Sequence, residues 1–205
     1  MTMNLVETIK NYLIDTYDPC AIIVYGSFAN GSANKNSDFD ALVIADHGKM
    51  HDSSVINNTV LDVFVCPMDV FQSSYAAEEF IQVFDGKILL DKNGIADQLQ
   101  KRVRDHIEQM PLKTADEIQQ EIDWCEKMLS RTLREDSEGY YRWHWLLIDS
   151  LEIYFDVKQL HYFGPKKALR YMEQADAEAF NIYSLALKEF SRERLSEWIS
   201  YLKRL

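Results

Sequence analysis

Along the chain the apolar positions recur first at mixed and then at purely helical spacing. From Asn4 to Thr16 they fall on one side of a helix, with Leu5, Ile9, Tyr12 and Leu13 together, and Asp18-Pro19 stops it. Ala21 to Tyr25 is a continuous apolar run closed by Gly26 and predicts a buried strand. Phe39 to Ala45 predicts a second. Asp46 to Asn58 is polar and reads as a loop or weak strand. Thr59 to Val65 alternates and is β-branched, which predicts a third strand. Met68 to Phe84 reads as helical, and Lys87 to Asp91 as a short strand closed by the turn Lys92-Asn93-Gly94. A further helix runs to about Met110, where Pro111 ends it.

Beyond Pro111 the spacing is helical to the end. Thr114-Ala115-Asp116-Glu117 predicts a capping box, and Ile118, Ile122, Cys125 and Leu129 continue the stripe behind it. A long helix is predicted from Gly139 to Phe163, broken by Gly164-Pro165. Asp176 and Ser191 are candidate caps for two more. Tyr140, Tyr141 and Trp143 are expected to supply core, and His144 and His161 to pack in the bundle. The predicted fold is an α+β N-terminal domain over residues 1–111, with a mixed, mostly antiparallel sheet and flanking helices, followed by an all-α helical bundle over residues 112–205.

Composition narrows the classes. Apolar residues make up 47% of the 205, enough for a real core. No apolar run reaches the ~20 residues of a membrane span, and the first ten residues do not read as a signal peptide, so the expected address is cytoplasmic with no membrane partner. Cys20, Cys66 and Cys125 are too few and too scattered for a disulfide framework or a zinc site and are expected in or near the core. The formal net charge is −11. Up to Pro111 there are 8 Lys and Arg against 16 Asp and Glu, and after it 14 against 17. Neither half has the basic footprint that long nucleic acid demands; metal ions, small cations or a basic partner fit better.

The stretch that carries chemistry runs from Gly26 to Asp40. Asp38 and Asp40 flank one residue at a strand start, so both carboxylates are expected on one face. Two such anions repel unless a cation lies between them, and Mg²⁺ takes carboxylates together with substrate phosphates. Gly26-Ser27 follows a buried strand and opens a turn or short helix, where free amides can hold phosphate oxygens. Asp62 stands inside the apolar run Val60 to Phe64, which is costly unless the charge is paired or metal-bound. Were its strand beside Phe39 to Ala45, three carboxylates could hold two metal ions for in-line phosphoryl displacement.

Gly-Ser, ten residues, then Asp-x-Asp preceded by Ser, then a later strand Asp resembles the signature of the DNA polymerase beta-type nucleotidyltransferase superfamily. Leu89-Leu90-Asp91-Lys92-Asn93-Gly94 resembles the segment that closes the catalytic domain in its small bacterial members. The likeness covers about half the chain. It implies two Mg²⁺ ions on Asp38 and Asp40, with Asp62 on the catalytic ion and orienting the acceptor hydroxyl. It implies that Gly26 and Ser27 contact the triphosphate of ATP or another nucleoside triphosphate, and Ser37, just before the Asp pair, is grouped with them.

The second half resembles, in layout, the helical substrate-side domain of bacterial antibiotic nucleotidyltransferases such as the kanamycin and lincosamide enzymes. A helical domain of the HEPN type is the other candidate, but its Arg-x(4–6)-His motif is absent at His144 and His161. On the long helix Trp145, Asp149, Glu152 and Asp156 fall on one face, beside Leu147, Ile148, Leu151 and Phe155 as expected core. This stripe is either a solvated acidic face or an acceptor wall with Asp149 or Glu152 as general base. The expectation is transfer of a nucleoside monophosphate, AMP from ATP foremost, to a small hydroxyl-bearing acceptor, cationic ones of aminoglycoside or lincosamide kind included. A protein adenylyltransferase of antitoxin type and a non-catalytic nucleotide-binding module are the alternatives. The assembly expected is a monomer or homodimer.

Overall fold

Ile9, Leu13 and Tyr17 recur at helical spacing and are buried, which fixes the inner side of α1 (Thr2–Tyr17). The structure is a computed structural model describing residues 2–134 and 136–205. Those residues divide into two units, Met1–Met110 and Pro111–Leu205, each with its own core.

The first unit is built on a six-stranded mixed sheet. Its strands are β1 (Ala21–Val24), β2 (Phe39–Ala45), β3 (Met50–Asp52), β4 (Val55–Ile56), β5 (Thr59–Pro67) and β6 (Lys87–Asp91). The order is β3-β5-β2-β1-β6, with β4 paired to β5. Only β2 and β5 run parallel; every other pairing is antiparallel. Phe39, Ala41, Val43, Leu61, Val63 and Val65 point to one face and pack with α1. Leu42, Ile44 and Cys66 point to the other, where α4 (Ile95–Gln109) covers them with the 3₁₀ segment Ala77–Val83.

One segment of this unit differs from the sequence pattern, and another takes the weak-strand form, one of the two expected of it. Met68 to Phe84 is not one helix: α3 (Met68–Gln72) stops at Ser73, whose hydroxyl donates to the Val70 carbonyl and competes with the helix. The 3₁₀ segment then starts at Ala77. Polar residues 46–58 hold β3 and β4, because Asn57 and Asn58 take φ of 50° and 64° and close a two-residue hairpin into β5.

The second unit packs α5 (Ala115–Arg131), α6 (Ser137–Val157), α7 (Pro165–Ala175), α8 (Ala177–Lys188) and α9 (Arg192–Leu202) around Trp198, Tyr154, Met128 and Leu146. The Thr114–Glu117 capping box forms at α5. Helix α6 ends at Val157, six residues before Phe163, because Gln159 turns left-handed at φ 55°. Asp176 caps α8 at the Ala179 amide and also accepts from the Tyr154 and Tyr201 hydroxyls at 2.8 and 3.0 Å. Ser191 stands at the α9 cap position, but its hydroxyl donates to Glu193 instead. Trp143 is buried, whereas Tyr140, Tyr141 and Ile148 are exposed, as is His144: α6 turns them outward. Among the described residues no helix is long and apolar enough to cross a membrane.

Candidate active site

The parallel pairing of β2 with β5 sets Asp40 directly opposite Asp62. Residues in register share a face, so both carboxylates stand on the side of Leu42, Ile44 and Cys66. The helical cover reaches Leu42 and Ile44, which are buried, while Asp40 and Asp62 remain partly exposed at the strand starts. The buried run Leu61, Val63, Val65 belongs to the opposite face and fixes the direction of Asp62. Asp38 precedes β2, exposed, with the buried Phe39 between it and Asp40.

The chain leaves β1 through Tyr25, whose amide donates to the Asp40 carbonyl at 3.0 Å. At Gly26 it takes φ 65° and enters α2 (Gly26–Asn30). A Cβ on Gly26 would stand 2.5 Å from Asp40 Oδ2, so the backbone of the Gly-Ser turn lies against that carboxylate. Tyr25, at the N-cap position of α2, makes no side-chain hydrogen bond to its first amides. Burial pushes the Tyr25 hydroxyl pKa up, and the negative charges of Asp40 and Asp62 push it further. Ser37, expected at the nucleotide, accepts from the Asn34 amide at 2.9 Å and ties the loop before Asp38.

His51 is a residue that the sequence pattern did not single out. Its Nε2 lies 2.7 Å from Asp62 Oδ1, and its ring packs on Phe64 with centroids 4.8 Å apart. Its strand is three residues long and polar, too short to show a period.

Asp149 and Glu152 belong to the second unit. They line an open cavity of about 470 Å³ with Lys113, Glu117, Gln120, Glu121, Trp124 and Ile153. Asp149 accepts from the Trp145 indole N–H, and Trp145 meets Trp124 edge to face at 5.8 Å. Asp156, the next acid of the stripe, is bridged to Lys113 at 2.9 Å, and Lys113 also holds Glu121. Burial works against the Lys113 ammonium, but these two carboxylates push its pKa up to about 12. Burial also raises the Glu121 pKa. Glu121 Oε2 is buried and has no hydrogen-bond donor among the described residues. Lys113, Glu121 and Trp124 were not singled out by the sequence pattern, because the apolar stripe of α5 marks a helix face and not a cavity.

Among the described residues no three His, Cys, Asp or Glu side chains are gathered into a ready-made metal cage. The donor set nonetheless fits Mg²⁺, which binds through one or two carboxylates and completes its shell with water and substrate phosphate. Asp40 opposite Asp62, with the Gly26 backbone against Asp40, would supply such carboxylates.

The first unit is an α+β domain with a mixed sheet and flanking helices. Residues 7–95, within the N-terminal unit, match the family model described as polymerase beta, nucleotidyltransferase. Such a domain supports nucleotide transfer in general and implies a nucleotide substrate. A solved structure of a nucleotidyltransferase-like protein from Exiguobacterium sibiricum 255-15 is similar at 15% identity, over 98% of this chain and 73% of that one, with a TM-score of 0.37. No curated protein matches the chain.

Proposed function

We propose that this protein moves a nucleoside monophosphate, AMP from ATP foremost, onto a hydroxyl of a small acceptor. The observation that carries the reading is Asp40 opposite Asp62 at the uncovered end of the sheet, with the Gly26 backbone against Asp40. Asp38, Asp40 and Asp62 are the residues that would hold two Mg²⁺ ions, and the ions would neutralise charge on the transferring phosphoryl group. Gly26 and Ser27 offer amides to the triphosphate, and Gly26 has no side chain to obstruct the approach. Asp62 orients the acceptor hydroxyl. The chain's contribution is chiefly positioning.

The acceptor site in this reading is the acidic cavity of the second unit. Carboxylates beside the Trp124 ring suit a ligand that carries amines as well as hydroxyls, of aminoglycoside or lincosamide kind. Asp149 or Glu152 serves as general base. A second reading is favoured by the exposed Tyr141, Trp145 and Ile148 on one side of α6, an apolar strip that suits a protein acceptor. Incubation with labelled ATP and Mg²⁺ against aminoglycosides, lincosamides and cell lysate, with mass spectrometry of the adducts, separates the two. A small-molecule adduct 329 Da heavier, roughly the mass an adenylyl group adds in transfer chemistry, supports the first. Labelled protein supports the second, and no adduct in any arm defeats both.

A further inference from the structure

We infer that His51 is a positioning residue of this site: it fixes the Asp62 carboxylate so that one oxygen is presented to a cation and to the acceptor. The inference rests on the nucleotidyl-transfer reading. Asp62 stands on β5, the middle strand of three, with Asp40 in register on β2 at one side and β3 at the other. His51 pairs with Phe64, two residues beyond Asp62 on the same face, so it is the diagonal neighbour of Asp62.

The carboxylate only accepts, so His51 Nε2 carries the proton of the 2.7 Å hydrogen bond to Oδ1. Oδ2 receives no hydrogen bond from any described residue. The His51 ring is itself held, tilted 36° on Phe64. Asp62 therefore has one oxygen anchored and one left over, the arrangement a monodentate metal ligand needs.

Stability does not explain this pair. Both side chains are close to half exposed, at 47% and 45%, and exposed pairs add little to folding. Orientation explains it better. Asp62 is a short, half-exposed side chain directly opposite a second carboxylate, and mutual repulsion turns the two apart when no cation is bound. A donor on the far side of Asp62 sets its direction before the cation arrives. Partners of this kind typically change metal affinity or activity 10–100-fold.

The test compares wild type with His51→Leu, which removes the donor, and His51→Gln, which keeps an N–H. Three readouts are used. Ring ¹⁵N–¹H spectra of the metal-free protein are expected to place the His51 proton on Nε2, with that signal shifted in Asp62→Ala. Mn²⁺ binding with α,β-methylene-ATP is expected to weaken about 10-fold or more in His51→Leu and to recover largely in His51→Gln. Mn²⁺-dependent pyrophosphate release from ATP, with water as acceptor, is expected to fall 10–100-fold in kcat in His51→Leu, with KM for ATP within about twofold. Melting temperatures should agree among the three. A competent wild type whose His51→Leu variant keeps its Mn²⁺ affinity and kcat overturns the inference alone, as does equal impairment in Leu and Gln. A wild type that neither binds the Mn²⁺–analogue pair nor releases pyrophosphate overturns the transfer reading, and this inference with it.

Discussion

Gly26 and Asp40 form the tightest point of the candidate site, and each suggests a substitution with a definite outcome. A side chain at Gly26 meets two obstacles: φ of 65°, which costs an L-residue about 1–2 kcal/mol, and Asp40 Oδ2 at 2.5 Å from the new Cβ. Gly26→Val is expected to lower the melting temperature and to weaken a non-hydrolysable ATP analogue more than tenfold by calorimetry. Ser27→Ala removes one hydroxyl, leaves the amides and should do less. Unchanged affinity in a folded Gly26→Val protein would put the phosphates elsewhere. Asp40→Asn keeps the shape and relieves repulsion with Asp62, so the metal-free protein should melt no lower than wild type. Transfer should nevertheless vanish, as it should in Asp38→Asn; activity in either variant would sink the two-metal reading. At this scale alternation alone left the face of Asp62 open; burial of Leu61, Val63 and Val65 and the register with β2 decide it. His51 was not readable, because its contact depends on which strand pairs at the edge of β5.

The helices and strands followed the sequence where apolar periodicity was strong. β2 spans Phe39–Ala45 as the pattern predicts, and α4 reaches Gln109 before Pro111. The pattern was least specific where polar side chains or positive φ decide the backbone. The Asn57-Asn58 turn hides a hairpin in a polar stretch, Ser73 cuts the helix after Gln72, and Gln159 ends α6 early. Asp176 shows how much one such residue can hold. It joins α8 by its cap, α6 through Tyr154 and α9 through Tyr201. Asp176→Ala should cost about 2–4 kcal/mol, from a lost cap and hydroxyls left without an acceptor. Burial works against ionisation of Asp176, but the Ala179 amide, Tyr154, Tyr201 and Lys158 together hold its pKa below the ordinary 3.8. Its folded pKa is thus depressed, so its contribution is complete above about pH 4 and is lost as pH falls through the folded value. Wild type should therefore lose stability more steeply than Asp176→Asn below pH 4 in acid melts. Parallel curves would show that the charge is not what matters.

Across the whole molecule, a net charge of −11 and two units raise the question of what the helical unit is for. The layout of the sequence anticipated a mixed sheet and then helices, but nothing in an α5 stripe of Ile118, Ile122 and Cys125 announces a cavity. The cavity arises because α5 and α6 bring Glu117, Glu121, Asp149 and Glu152 around Trp124. The acids on α6 are not equivalent. Asp156 is neutralised by Lys113, and Asp149 accepts the Trp145 indole N–H, so both are engaged within the unit. Glu152 is exposed, lines the cavity and has no hydrogen bond or ion pair among the described residues. Under the proposed transfer it is the carboxylate that would take a proton from the acceptor hydroxyl, a role that contributes typically 10²–10⁴-fold. Glu152→Gln should therefore lower kcat by about 10²-fold or more with the identified acceptor, while calorimetric ATP affinity stays within twofold. Asp149→Asn, which keeps an acceptor for Trp145, should raise the acceptor KM more than it lowers kcat, as expected for a residue that binds rather than reacts. If Glu152→Gln turns over at the wild-type rate, the base lies elsewhere and the cavity acts only in binding. If neither substitution changes acceptor kinetics, the acidic cavity is not the acceptor site.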